Sequence, residues 1–126
     1  MTAQPSKSIQ IVSVDKKQSK EGSPTPNQST YIFTLSSSPQ PAWLNLFNPL
    51  WQARKKNEPG TAQISIDQGR LTVICSITDD PQTHVTNLEE DFEIANQKFA
   101  DKLQEESDKE TSFRQRLDDI KFKNKA

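Results

Sequence analysis

AQISIDQGRLTVICSI, from Ala62 to Ile77, holds two apolar alternations with a turn between them. Ile64 and Ile66 share one side of the first arm. Leu71, Val73, Cys75 and Ile77 share one side of the second. Side chains on an extended strand alternate between its two faces, so each arm has one face that seeks a core. Asp67-Gln68-Gly69 separates the arms, and glycine is free to take the positive φ that tight hairpin turns require. Ile74 points the other way, which predicts cover on both sides of the second arm. The spacing therefore predicts a hairpin, and an isolated hairpin is marginal in water without something apolar across it.

The sequence offers that cover on both sides of the hairpin. Downstream, THVTNLEEDFEIANQKFADKL places Leu88, Phe92, Ala95, Phe99 and Leu103 at spacings of four, three, four and four, one face of a helix. Thr86 with Glu89 three residues later fits a capping box and predicts a start near residue 87. Upstream, PAWLNLFNPLW (Pro41 to Trp51) places Trp43, Phe47 and Trp51 four apart, with Leu44 and Leu50 widening the stripe. Ser38 is the expected cap, and prolines 39 and 41 are tolerated in a first turn whose N–H groups have no helical partner. Pro49 removes a helical hydrogen bond and crowds residue 45, so a short helix kinked or broken near Asn48–Pro49 is expected. The polar exit ARKKNEPGT follows.

Nearer the start, Ile9 to Val14 and Thr30 to Leu35 read as strands from their β-branched and aromatic content. Residues 15–29 contain no hydrophobic side chain and read as a mobile loop, and residues 1–8 as a flexible tail. The expected fold is an α+β two-layer sandwich: a four-stranded, mainly antiparallel sheet in ββαββα order, with a short kinked helix and a long C-terminal helix. Residues 9–104 form the single α+β domain, and residues 105–126 a C-terminal helical extension.

That extension carries the strongest functional hint. QEESDKETS interrupts the apolar stripe, which resumes at Phe113, Leu117 and Ile120. A continuous helix over residues 87–122 would span about 54 Å at 1.5 Å per residue. A domain of this size is only about 35–40 Å across. Either the helix breaks near Ser107 and folds back, or its end projects with an uncovered apolar face. Each large side chain left in water forgoes roughly 1.5–3 kcal/mol, part of which a partner recovers. Phe113, Leu117 and Ile120 are therefore the expected partner-binding residues, with an edge of Trp43 or Trp51 as a second contact.

Charge is segregated. Residues 1–70 hold eight Lys/Arg and four Asp/Glu, a balance of +4; residues 79–110 hold three and eleven, a balance of −8; residues 111–126 hold five and two, a balance of +3. A net charge of −1 lacks the strong positive field of a general nucleic-acid binder. The alternative is a single-strand binder that stacks bases on Trp43 and Trp51 beside the basic cluster Arg54, Lys55 and Lys56. A third expectation is a hydrolase centred on His84 with Asp79 or Asp80.

No cofactor and no metal site are expected. His84 is the only histidine and reads as a surface residue, and Cys75, the only cysteine, lies nine residues away inside a strand. The acidic set from Asp79 to Glu93 lacks the spacing and central glycine of a calcium loop. One cysteine permits no internal disulfide, the N-terminal residues lack a signal-peptide core, and no run approaches the ~20 apolar residues of a membrane span. The expected setting is the cytoplasm, and the expected partner is a protein, either another copy or a larger component.

Overall fold

The structure, a computed structural model, describes residues 8–121. Most of the expected N-terminal tail, and the end of the C-terminal extension, lie outside the described residues. The described elements are β1 (Ile11–Val14), β2 (Lys20–Glu21), β3 (Gln28–Leu35), α1 (Pro41–Asn57), β4 (Gln63–Asp67), β5 (Arg70–Ser76) and α2 (Pro81–Asp118). The strands form one antiparallel sheet in the order β1-β3-β5-β4, with the short β2 also paired to β3. This is the expected α+β architecture with one extra short strand.

Residues 15–29 differ from the expected loop. They contain β2 and the first two residues of β3, and both β1 and β2 lie along one edge of β3. Polar groups hold the connection. The Asp15 carboxylate accepts from the backbone N–H groups of Lys17 and Gln18, both at 3.1 Å. Ser19 Oγ accepts from the backbone N–H of Ile32 at 2.8 Å. Aspartate and serine readily bond nearby backbone in this way, so the absence of apolar anchors does not leave the segment without structure.

The 4–5 hairpin follows the predicted alternation. Ile64 opposes Val73, and Ile66 opposes Leu71. The turn is two residues, Gln68 and Gly69, and the left-handed one is Gln68, at φ 56°. The sequence had pointed to the glycine.

Both helices feed one hydrophobic core with the sheet. Leu71, Val73, Cys75, Phe33 and Leu35 from the strands meet Trp43, Phe47 and Trp51 of α1 and Leu88, Phe92, Ala95 and Phe99 of α2. The aromatic rings interlock: Trp43 stacks on Phe47 at 5.2 Å between centroids, and Phe92 meets both edge-on at 5.1 and 5.0 Å. Such offset and T-shaped arrangements suit the ring quadrupoles. Asn96 of α2 ties the layers together. Its Oδ1 accepts from Trp43 Nε1 at 2.7 Å and from the backbone N–H of Ile9 at 2.9 Å, and its amide donates to the Ile9 carbonyl at 3.1 Å.

Two helix boundaries differ from expectation. α1 is 17 residues long and continues through Pro49 to Asn57, so it is neither broken at Asn48 nor finished at Ala53. The aromatic triplet on its inner face spans Pro49 on both sides, while Pro49 and Asn45 are exposed, so the carbonyl freed by the missing N–H faces solvent. Gln40, not Ser38, is its N-cap, and it makes no side-chain capping bond. α2 starts at Pro81, with the Asp80 carboxylate accepting from the Gln82 N–H at 3.0 Å. Thr86 and Glu89 are therefore interior residues rather than a capping box. Asp followed by proline at N1 is itself a strong helix start, six residues earlier than the box.

Candidate functional site

Three groups of residues bear on function. The first is the distal part of α2. The helix is unbroken over 38 residues, about 57 Å at 1.5 Å per residue. Phe99 is its last core residue, and every described residue after it is exposed. The expected alternatives thus resolve: the helix does not fold back at Ser107. Phe113, Leu117 and Ile120 are 57%, 49% and 55% exposed, and Leu103 joins them as an exposed large hydrophobe. Spacings of four, three, four and four link Leu88, Phe92, Ala95, Phe99 and Leu103, and four then three link Phe113, Leu117 and Ile120. From Phe99 onward one alternation of four and three runs through Leu103 to Phe113, Leu117 and Ile120, interrupted by Glu106 and Glu110. One side of the helix is therefore core at its start and bare at its end. Local side-chain pairs brace the bare part: Gln104 donates to Asp108 at 2.9 Å, and Arg114 lies 3.8 Å from Glu110.

The second group is the aromatic and basic cluster. Trp43 and Trp51 are each 1% exposed and sit inside the core. Both indole N–H groups are also taken, by Asn96 and by the Ala62 carbonyl at 3.1 Å. This corrects the expectation that either ring stacks a base or forms the edge of a binding surface. Four-residue spacing turned both toward the sheet together with Phe47. Arg54 is likewise committed. Its guanidinium bonds Asp91 through Nε and Nη2 at 3.2 and 3.0 Å, reaches Glu90 at 3.1 Å and Glu58 at 3.3 Å, and lies over the Trp51 ring. These carboxylates hold its pKa above the ordinary arginine value, Asp91 most of all, against the opposing effect of burial. Lys55 and Lys56 are exposed. Two lysines without the tryptophans or a free arginine do not make the stacking groove that single strands need.

The third group sits where β5 hands over to α2. His84 is 5% exposed, which corrects its reading as a surface residue. The early start of α2 places it one turn inside the helix, facing the sheet. Its Nε2 lies 2.9 Å from Asp79 Oδ2, while Nδ1 is buried and has no hydrogen-bond partner. Asp80, the other carboxylate considered with it, is occupied as the cap of α2. Cys75, at the end of β5, comes within 4.8 Å of both partners, measured between candidate ligand atoms. The sequence separation of nine had placed it out of reach. The β5–α2 turn is short and reverses direction, closed by Asp79 N–H donating to the Ser76 carbonyl at 2.9 Å. A cysteine, an aspartate and a histidine therefore converge, a grouping that sequence reasoning missed. The available signal was a cysteine at a strand end followed within ten residues by Asp and His across one turn.

As a nucleophile the thiol is poorly prepared. Burial, and then the negative charge of Asp79, push the Cys75 pKa up, and a protonated thiol attacks weakly. Among the described residues, no helix is long and apolar enough to cross a membrane. No known protein family, curated sequence or solved structure gives a match to this chain.

Proposed function

We propose that this protein is a non-enzymatic assembly module that binds a second copy of itself through the projecting end of α2. The supporting observation is the bare stripe of Leu103, Phe113 and Leu117 on a helix that continues past its own domain, with exposed Ile120 two residues beyond its end. Water penalises that face, and an isolated helical segment of this length is marginal without a packing surface. Charge selects the occupant. Residues 79–110 carry a balance of −8, whereas the described residues 111–121 hold Arg114, Arg116 and Lys121 against two aspartates, a balance of +1. Laid antiparallel, two copies bring the acidic part of one helix beside Arg114 and Arg116 of the other, and their apolar stripes meet along one seam. A lone buried cysteine is compatible with work in the cytoplasm.

The stripe is modest, and association also costs translational and rotational freedom, so a dissociation constant on the order of micromolar is expected. Light scattering over a concentration series tests this. The mass should rise from monomer to dimer, and added salt should shift the midpoint to higher concentration. Replacing Phe113 and Leu117 together by aspartate should keep the chain monomeric throughout, with an unchanged circular dichroism melt. A wild-type chain that stays monomeric at every concentration would overturn the reading.

A further inference from the structure

The junction of β5 and α2 has a chemistry that assembly does not use. We propose that Cys75, Asp79 and His84 bind one divalent transition-metal ion of the zinc type, with a fourth position open to solvent. The proposal is independent of the self-association above.

The donor set comes first. Sulfur, imidazole nitrogen and one carboxylate suit zinc, which takes such ligands in tetrahedral sites. Magnesium and calcium prefer all-oxygen sets and have only one carboxylate here. Metal–ligand bonds of 2.0–2.3 Å place neighbouring tetrahedral ligand atoms about 3.4–3.6 Å apart. The three groups already lie within 4.8 Å of one another, and Asp79 and His84 are 2.9 Å apart. Side-chain rotation alone covers the difference.

The placement of His84 supports the set. His84 is more than nine-tenths buried, and the nitrogen it turns toward Asp79 is Nε2, at 2.9 Å. The ion takes this Nε2 together with Asp79 and Cys75, and burial of the ring fixes its orientation before any ion arrives.

Charge and access fit as well. A thiolate and a carboxylate carry two negative charges, which a divalent cation neutralises. The Cys75 thiol is held protonated by burial and by Asp79, so a metal entering must displace that proton, and affinity falls as pH falls. A cleft of about 210 Å³, lined by Pro59, Gly60, Asp79, Asp80, Thr83 and His84, opens the site to solvent. A second cleft reaches Cys75 and Asp79 from the sheet side. An ion bound here ties the end of β5 to the first turns of α2.

Cobalt titration of the full chain, without an affinity tag and stripped by chelator, tests the site. A near-ultraviolet thiolate-to-cobalt charge-transfer band should grow in, together with the visible bands of four-coordinate Co²⁺. It should saturate at about one equivalent per chain and be bleached by Zn²⁺. Cys75→Ala should lose the band while keeping its far-ultraviolet circular dichroism, and Cys75→Val serves if alanine fails to fold. Asp79→Asn should keep the band with about 10-fold or more weaker affinity. Absence of the band in the wild-type chain would overturn the proposal, as would its survival in a folded Cys75 variant. Unchanged affinity in Asp79→Asn would remove Asp79 from the site.

Discussion

Arg54 reaches three carboxylates from the last turn of α1, and only Asp91 among them is buried. The pairs with Glu58 and Glu90 sit at the rim, where screening leaves little net energy. The Asp91 pair is different, because Asp91 is 4% exposed and would remain as an uncompensated charge. Arg54→Ala should therefore destabilise the fold by about 2–4 kcal/mol, read from the urea midpoint. Arg54→Lys should recover only part of that, since an ammonium cannot present the two-pronged contact made by Nε and Nη2. The basic run Arg54 to Lys56 looked like one surface cluster in the sequence, but helical geometry divides it. Arg54 falls four residues after Leu50 and three after Trp51, toward α2, while the two lysines turn outward. Nothing in the sequence singled out Asp91, because it sits among five other acidic residues and only the packing of α1 against α2 buries it. His84 was hidden for a related reason. Its facing depends on where α2 begins.

Element boundaries follow from competing local signals, and α1 shows which one prevails. Pro49 argues for a break, whereas Trp43, Phe47 and Trp51 argue for continuity, and a stacked aromatic row outweighs one lost hydrogen bond. Proline still costs something inside a helix. Pro49→Ala restores an N–H that can donate to the residue 45 carbonyl, and it should stabilise the protein by on the order of 1–2 kcal/mol, seen as a higher melting temperature. No change, or a loss, would mean that the outer face of α1 is not where the strain lies. The strands were legible wherever alternation was clean, as in the 4–5 hairpin. β2 was not, because its Lys20 and Glu21 are both exposed and pair only through backbone. At the start of α2, two caps lay six residues apart in sequence. The aspartate–proline pair at 80 and 81 prevailed over Thr86 because the later box falls inside a helix already under way.

The whole molecule divides at Phe99, the last side chain of α2 to reach the core. Everything after it in the described helix faces solvent, so ending the chain at Gln104 should leave the domain stable to within about 0.5 kcal/mol. The same truncation should abolish concentration-dependent mass by light scattering. A large loss of stability would instead show that the distal helix contributes to the fold. The sequence anticipated the excess length of α2 from arithmetic alone. It left open whether Ser107 marked a break, because nine polar residues read equally well as a turn or as a solvated helix, and short-range pairs such as Gln104 to Asp108 decide for the helix. The Cys75, Asp79 and His84 grouping was illegible for a different reason, since a short reversal brings together residues whose strand and helix assignments gave no distance between them.

A rod on a globule also drags through water. With about 28 Å of bare helix beyond its last core residue, even a single chain will tumble slowly and elute ahead of compact proteins of equal mass. Column calibration with round standards would then report an apparent dimer where none exists. The anisotropy of its diffusion will make the orientation of α2 visible to spin relaxation, residue by residue, before any partner is added.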